Sequence, residues 1–206
     1  MNVQPLTIIV TSCDRFDLLV KTLDSFFALN NYPYVAFHIH NDSVKEIPDV
    51  LKHRYFDKNI TWHSGVKRGL SASWDYLVSL VTTEYFFNIE DDWYFSGNPD
   101  FIEQSIFLLQ YYDQVWIRDA KDHKHPLKEI NSTSSLVVYN GDWCGFTFNP
   151  SVRKASYWRS MFPEGISGKD EIELSIQLKG KYNAVSLNNS SIKHIGWNRH
   201  TQNFKI

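Results

Sequence analysis

Apolar and polar positions along the first half of the chain switch repeatedly between a period of two and a period near 3.6. Leu6-Thr7-Ile8-Ile9-Val10-Thr11-Ser12 is a β-branched run and predicts a buried strand. Phe16, Leu19, Val20, Leu23, Phe26 and Phe27 then fall at helical spacing, with Asp14 as the expected N-cap and Asp17 in the first turn. Asn30-Asn31-Tyr32-Pro33 breaks that helix. Tyr34 to His40 predicts a second strand ending at Asn41-Asp42-Ser43. Pro48 to Tyr55 predicts a short helix and Ile60 to His63 a third strand. After the turn Gly65 to Gly69, a helix carries Leu70, Trp74, Leu77, Val78 and Val81 on one face. Tyr85 to Ile89 is short, bulky and apolar, as a strand buried on both faces would be. This alternation argues for a parallel sheet with right-handed crossovers.

The second half is harder to divide. Pro99 to Tyr112 predicts a helix and Val115 to Ile117 a strand. Arg118 to Ser135 is polar and is expected to be a long loop. Leu136 to Tyr139 and Phe146 to Phe148 are expected to be short strands. Pro150 in a first helical position would open a helix to about Met161. Asp170 to Leu178 predicts another helix, capped by Gly180, and Tyr182 to Leu187 and Ser191 to Ile195 predict closing strands.

The central strand runs into Glu90-Asp91-Asp92. In an open α/β sheet, ligands bind outside the carboxyl ends of the strands. Three adjacent carboxylates there repel one another unless a positive charge holds them. A hard divalent cation shared with substrate phosphates would do so; a solvated acidic turn is the plainer alternative. Thr11 to Arg15 ends the first strand, Asp42 the second, and Arg68 begins a helix, so these residues should line the same edge. A helix N-terminus and an arginine favour an anion, and an acid after the second strand can accept a hydrogen bond from a base or ribose.

Length and composition narrow the field. With 206 residues, one domain is expected, with a nucleotide-binding half at 1–98 and an acceptor half at 99–206. A net charge of −2 gives no reason to expect nucleic acid as partner. No apolar run reaches membrane-spanning length. Cys13 and Cys144 are too few for a disulfide framework and are expected to be small buried thiols. With no recognisable signal peptide, they point to the cytoplasm of the producing or host cell. There is no G-x-G-x-x-G after the first strand, no G-x-x-x-x-G-K-[ST] and no G-x-S-x-G. His38 and His40 point the same way on one strand, either as a metal pair or as half-buried sheet histidines.

Taken in order, several segments resemble the glycosyltransferases of GT-A fold, nearest to the inverting family-2 type. They are Ile8 to Ser12 with Asp14-Arg15, Asn41-Asp42-Ser43, Gly65-x-x-x-Gly69-Leu70-Ser71-Ala72-Ser73, Ile89-Glu90-Asp91-Asp92, Asp170-Glu171-Ile172-Glu173-Leu174 and His194-Ile195-Gly196. The chain as a whole also resembles glycosyltransferase domains encoded by large DNA viruses of algae. The resemblance implies a central, mostly parallel twisted sheet flanked by helices, with a smaller mixed acceptor-side part. It implies a UDP-sugar donor, a glycan or glycoprotein acceptor, and Mn²⁺ or Mg²⁺. Thr11, Ser12 and Arg15 would line the nucleotide pocket, Asp42 would read the uracil, and Arg68 would lie near base or phosphate. Asp91 would hold the ribose or share the metal, Asp92 would ligate it, and His194 would contact metal or diphosphate. Glu171 would be the catalytic base, although the family's order of the two acids is reversed here, which keeps Asp170 as a rival. Glu90, Asp142, Trp143 and Trp197 would face donor sugar or acceptor.

Each residue has a plainer role beside it. Asp42 can cap a turn, Arg68 can be a surface cation, and Glu171 and Glu173 suit the first turn of any helix. His194 can be a core histidine, and the Trp197 segment a frayed end. Two further readings stand beside a hexosyltransferase: a sugar-1-phosphate nucleotidyltransferase and a catalytically inactive sugar- or nucleotide-binding module. The former family carries a Gly-rich loop where this chain has Thr11 to Arg15. The chain is short for a complete enzyme of this type, which leaves room for it to be one domain of a longer polypeptide.

Overall fold

The computed structural model describes residues 3–118, 126–138, 144–189 and 192–197. Its centre is a nine-stranded sheet. Four parallel strands form one half: β1 (Leu6–Ser12), β2 (Ala36–Asn41), β3 (Ile60–His63) and β4 (Tyr85–Glu90), ordered β3-β2-β1-β4. The sheet continues beyond β4 through β9 (Ser151–Lys154), β6 (Gln114–Trp116), β10 (Ala184–Leu187), β8 (Ser134–Val137) and β7 (Leu127–Asn131). β9 is antiparallel to both β4 and β6, while β10 runs parallel to β6. A separate pair joins β5 (Trp93–Phe95) to β11 (Ile192–His194), antiparallel.

The sheet is sandwiched between helices because its strands alternate apolar residues to both faces. Ile8, Val10, Phe87 and Ile89 pack against α1 (Phe16–Leu29), α2 (Asp49–Arg54) and α4 (Phe101–Leu108). Ile9 and Phe86 face the other way, toward α3 (Leu70–Ser79), α5 (Ala155–Met161) and α6 (Glu171–Leu178). A sheet covered on both faces needs strands without a polar side, and every residue of β1 is buried.

Several expectations are corrected. Arg15, not Asp14, occupies the N-cap of α1 and makes no side-chain cap. Asp14 instead adopts φ 58°, in a turn pinned by Asn41 and Ser43. The segment after Pro150 is not one helix: β9 comes first, and α5 starts at Ala155. Val152, Ala155 and Trp158 are spaced like a helix face, yet Val152 enters the sheet opposite Phe87. The loop expected over Arg118 to Ser135 contains β7 and the start of β8, paired as a hairpin. Its outer strand is largely exposed and shows no apolar alternation. Phe146 to Phe148 is not a strand; it is a buried irregular segment packed on Trp158 and Tyr182. The helix expected over Pro99 to Tyr112 is shorter, at Phe101–Leu108.

Candidate active site

β1 and β4 lie side by side with Thr11 opposite Glu90, so the two strand ends deliver Ser12 and the acids to one place. Thr11 is buried just before them. Asp91 is fully buried and accepts hydrogen bonds from Ser12 Oγ at 2.8 Å and the Cys13 amide at 3.2 Å. The cation required by three neighbouring acids comes from the chain itself. Arg15 forks across both aspartates: its Nε and Nη2 donate to Asp91, and Nη1 donates to Asp92 Oδ2 at 2.7 Å. Burial is the largest influence on Asp91 and pushes its carboxyl up to about 6, against the pull of Arg15. Burial also opposes ionisation of Asp92, but His194 and Arg15 outweigh it and hold that carboxyl below its ordinary range. Glu90 is pushed up to about 8, first by burial and then by Asp92.

β11 brings the far end of the chain onto the same acids. His194 Nε2 lies 3.1 Å from Asp92 Oδ2, and the Ile195 amide donates to the Asp92 carbonyl at 2.8 Å. A Cβ on Gly196 would lie 2.7 Å from Asp92 Cβ, so glycine is needed for this close approach. The His194 ring meets Trp93 and Trp197 at 5.0 and 4.5 Å between centroids. Arg118 had not stood out in the sequence. It follows β6, and its guanidinium lies 5.7 Å from the Trp93 ring and 5.3 Å from that of Trp197. The strand-end rule that singled out Asp42 and Asp92 applies equally to Arg118.

The far rim is built on β2 and α3. Asp42 uses its carboxylate to accept the backbone amides of Arg68 and Gly69, drawing the end of β2 to the start of α3. The exposed Arg68 lies 4.5 Å above the Tyr76 ring. Beneath it, His63 Nε2 is 3.3 Å from His38 Nδ1 and His63 Nδ1 is 2.9 Å from Tyr76 OH, while buried His40 packs on Tyr76.

The two acids that begin α6 are divided between different tasks. Asp170 is exposed and caps the helix, accepting from Ile172 N and Glu173 N in a capping box with Glu173. Glu171 turns inward, where its Oε1 accepts from Thr147 Oγ1 at 2.7 Å and the Phe148 amide at 2.6 Å. It is close enough to Glu90 to raise that residue's pKa. Asp142 and Trp143 lie outside the described residues.

A divalent cation fits part of this arrangement. Asp92 Oδ1 is buried with no hydrogen-bond partner, and its other oxygen lies beside an imidazole nitrogen. A carboxylate and an imidazole are ordinary Mn²⁺ ligands. Among the described residues no three His, Cys, Asp or Glu side chains converge to hold a metal ion by themselves. Phosphate oxygens and water would have to complete the coordination shell, as is usual for Mg²⁺ held with a nucleotide. Cys13 and Cys144 are both free thiols, Cys13 partly exposed and Cys144 buried.

No family model matches the sequence, and no curated protein matches it. Solved structures do match. S. aureus TarS, residues 1–349, in complex with UDP superposes with a TM-score of 0.67 and 11% identity over 91% of this chain. The mannosyltransferase PcManGT of Pyrobaculum calidifontis, in complex with GDP-Man and Mn²⁺, has a TM-score of 0.64 and 12% identity over 94% of the chain. GalNAc-T7 with UDP, GalNAc and Mn²⁺ has a TM-score of 0.70 and 9% identity over 100%. The chain spans 59%, 57% and 46% of these three proteins respectively. The protein therefore has the GT-A glycosyltransferase fold, a mixed α/β sheet that is largely parallel at its centre. These neighbours are nucleotide-sugar glycosyltransferases, and two of them were solved with Mn²⁺. Among the described residues no helix is long and apolar enough to cross a membrane.

Proposed function

We propose that this protein transfers a glucose- or rhamnose-like hexose from a UDP-sugar to a hydroxyl of a glycan or glycoprotein acceptor, with inversion, in the cytoplasm of the producing or host cell. The observation that carries the reading is the pairing of two clusters at one sheet edge. Arg15, Asp91, Asp92 and His194 gather at the end of β4, and Glu171, held by Thr147 and Phe148, is near enough for its charge to raise the pKa of Glu90. Thr11, Ser12 and Asp42 are assigned to the nucleotide pocket, with Arg68 at its rim. Asp91 is assigned to the ribose. Asp92 and His194 would hold Mn²⁺ or Mg²⁺, which when bound supplies positive charge against the diphosphate.

Arg15 occupies the acids in the structure described. On nucleotide binding its guanidinium can turn from Asp92 to a phosphate while staying bidentate on Asp91. Arg118 lies against half-exposed Trp197, which packs on His194, and a cation beside an indole suits diphosphate and the apolar face of a sugar. Glu171 takes the proton of the acceptor hydroxyl. That oxygen bonds to the anomeric carbon as the bond from this carbon to the diphosphate oxygen breaks, and UDP leaves with the electron pair. Glu171 releases the proton to solvent. Asp170, committed to the helix cap, is the weaker candidate for this step.

The test is UDP release from UDP-glucose, UDP-galactose and UDP-GlcNAc, with and without Mn²⁺ and hydroxyl acceptors, for wild type and Glu171→Gln. Mn²⁺-dependent UDP release is expected from wild type. It should be lost in Glu171→Gln, with UDP binding kept. Wild-type turnover in that variant refutes Glu171 as base. Pyrophosphate release from UTP and a sugar 1-phosphate would establish the nucleotidyltransferase instead, and binding without turnover a non-catalytic module.

A further inference from the structure

Behind Glu171 lies a group of buried polar side chains that the proposed transfer does not use. Asn88 comes from β4, Gln114 from β6, Ser151 and Arg153 from β9, and Tyr182 just precedes β10. None is more than 2% exposed. All of them serve one irregular segment, residues 147–149. Arg153 Nη2 and Gln114 Nε2 both donate to the Thr147 carbonyl, the latter at 3.0 Å. Asn88 Nδ2 donates to the carbonyls of Phe148 and Asn149 at 2.9 and 3.0 Å. Ser151 links Gln114 to Asn88, and Tyr182 OH links Gln114 to Arg153. The carbonyls of the segment are thus tied to three strands. Its opposite side, Thr147 Oγ1 and the Phe148 amide, grips Glu171 Oε1.

A guanidinium in a core is expensive, and apolar residues of similar volume often do the structural work as well. The rings of Trp74, Phe146 and Trp158, with centroids 5.0 to 5.2 Å from Arg153 Cζ, offset part of that cost. The hydrogen-bond partners described for Arg153 are neutral. The Thr147 whose carbonyl it holds donates through its own hydroxyl to Glu171, as does the next amide, that of Phe148. A cation at this depth therefore makes sense if it serves that acid.

We propose that Arg153 is a positioning residue: by fixing the Thr147 carbonyl it holds the Thr147–Phe148 clamp that keeps the Glu171 carboxylate in place. The catalytic consequence rests on Glu171 being the base, as assigned above, whereas the clamp itself does not. Two readouts keep these apart. Against wild type, Glu171→Gln should shift the backbone amide resonance of Phe148, since the amide donates to that carboxylate. In Arg153→Met that coupling should be lost while the other core amides stay in place. In a turnover assay with UDP-glucose and Mn²⁺, kcat should fall roughly 10- to 100-fold with KM unchanged, the scale expected when a reacting group is misplaced by about 1 Å. Thr147→Val removes one donor to Glu171 and an acceptor for the Asn149 amide, leaves the Thr147 carbonyl for Arg153 to hold, and should lower kcat in the same direction. If Arg153→Met does not fold, Arg153→Lys keeps the charge but not the fork and must also displace the Phe148 amide. A Phe148 amide that still responds to Glu171→Gln as in wild type in a folded Arg153 variant overturns the proposal. An unchanged kcat in Thr147→Val overturns it as well. Loss of the amide coupling in a protein that releases no UDP from any sugar nucleotide would support the clamp and reject the transferase reading.

Discussion

Gly196→Ala tests the junction between the segment after β11 and the acids after β4. The added methyl would sit 2.7 Å from Asp92 Cβ and 2.8 Å from its Cγ, and closer still to Oδ2. Real carbons do not approach so closely, so either β11 or the Asp92 side chain must move. Moving β11 breaks its pairing with β5 and the Ile195 to Asp92 hydrogen bond. Moving Asp92 breaks its charged bonds to Arg15 and His194. Overpacking a fitted site costs about 1–3 kcal/mol, and a hydrogen bond to a charged group is worth about 1.5–3 kcal/mol. The two routes are alternatives, so a total near 2–3 kcal/mol is expected. For a chain of this length that corresponds to a Tm lower by about 4–12 °C. The assay is thermal unfolding in EDTA and in Mn²⁺. Wild type should be stabilised by Mn²⁺ with UDP, the increment rising with the logarithm of ligand concentration above Kd, and Gly196→Ala should lose most of that increment because Asp92 and His194 no longer face each other. A variant that melts with wild type and keeps the full Mn²⁺ increment would show that the close approach of Gly196 and Asp92 does not exist.

Other perturbations probe separate parts of the site. Arg15→Met strands two buried carboxylates and should cost about 3–5 kcal/mol in EDTA; Mn²⁺ should restore more stability to it than to wild type, and equal melting of variant and wild type in EDTA would refute the pairing. His63 is driven down to about 4, first by burial and then by His38 and His40. Its unfolded value is near 6.5, so between about pH 6.5 and 4 the unfolded chain binds a proton that the folded one does not, and stability falls as pH drops through that window. His63→Gln should show a shallower loss of Tm from pH 7 to 4.5 than wild type, and parallel curves would contradict the assignment. Trp197→Ala should leave the Tm nearly unchanged, since the side chain is 51% exposed, but weaken UDP-sugar binding measured by calorimetry; unchanged affinity would remove Trp197 from the site.

Much of the first half of the fold, β1 to β4 with their helices, could be read from the chain. Strands β1 to β4 are short apolar runs bounded by polar residues and separated by helices with one apolar face. Local pattern and burial agree there, because a parallel sheet covered on both sides needs that arrangement. The position of the acids after β4 was legible for the same reason: the chain leaves the sheet where the apolar run stops. The second half was less legible. β9 lies within a segment whose apolar spacing is that of a helix, and it became a strand because the gap between β4 and β6 had to be filled. The edge hairpin of β7 and β8 shows little apolar alternation, since one of its strands is largely solvated.

The sequence by itself determined that carboxylates, an arginine and a helix start would meet at one edge of a sheet, because strand ends are set by local chemistry. Only the tertiary structure decided which charges neutralise which. Arg15 on Asp91 and Asp92 and His194 across from Asp92 join residues from 15 to 194. Such pairings follow from which strands become neighbours, and no local pattern of hydrophobicity or charge carries that information.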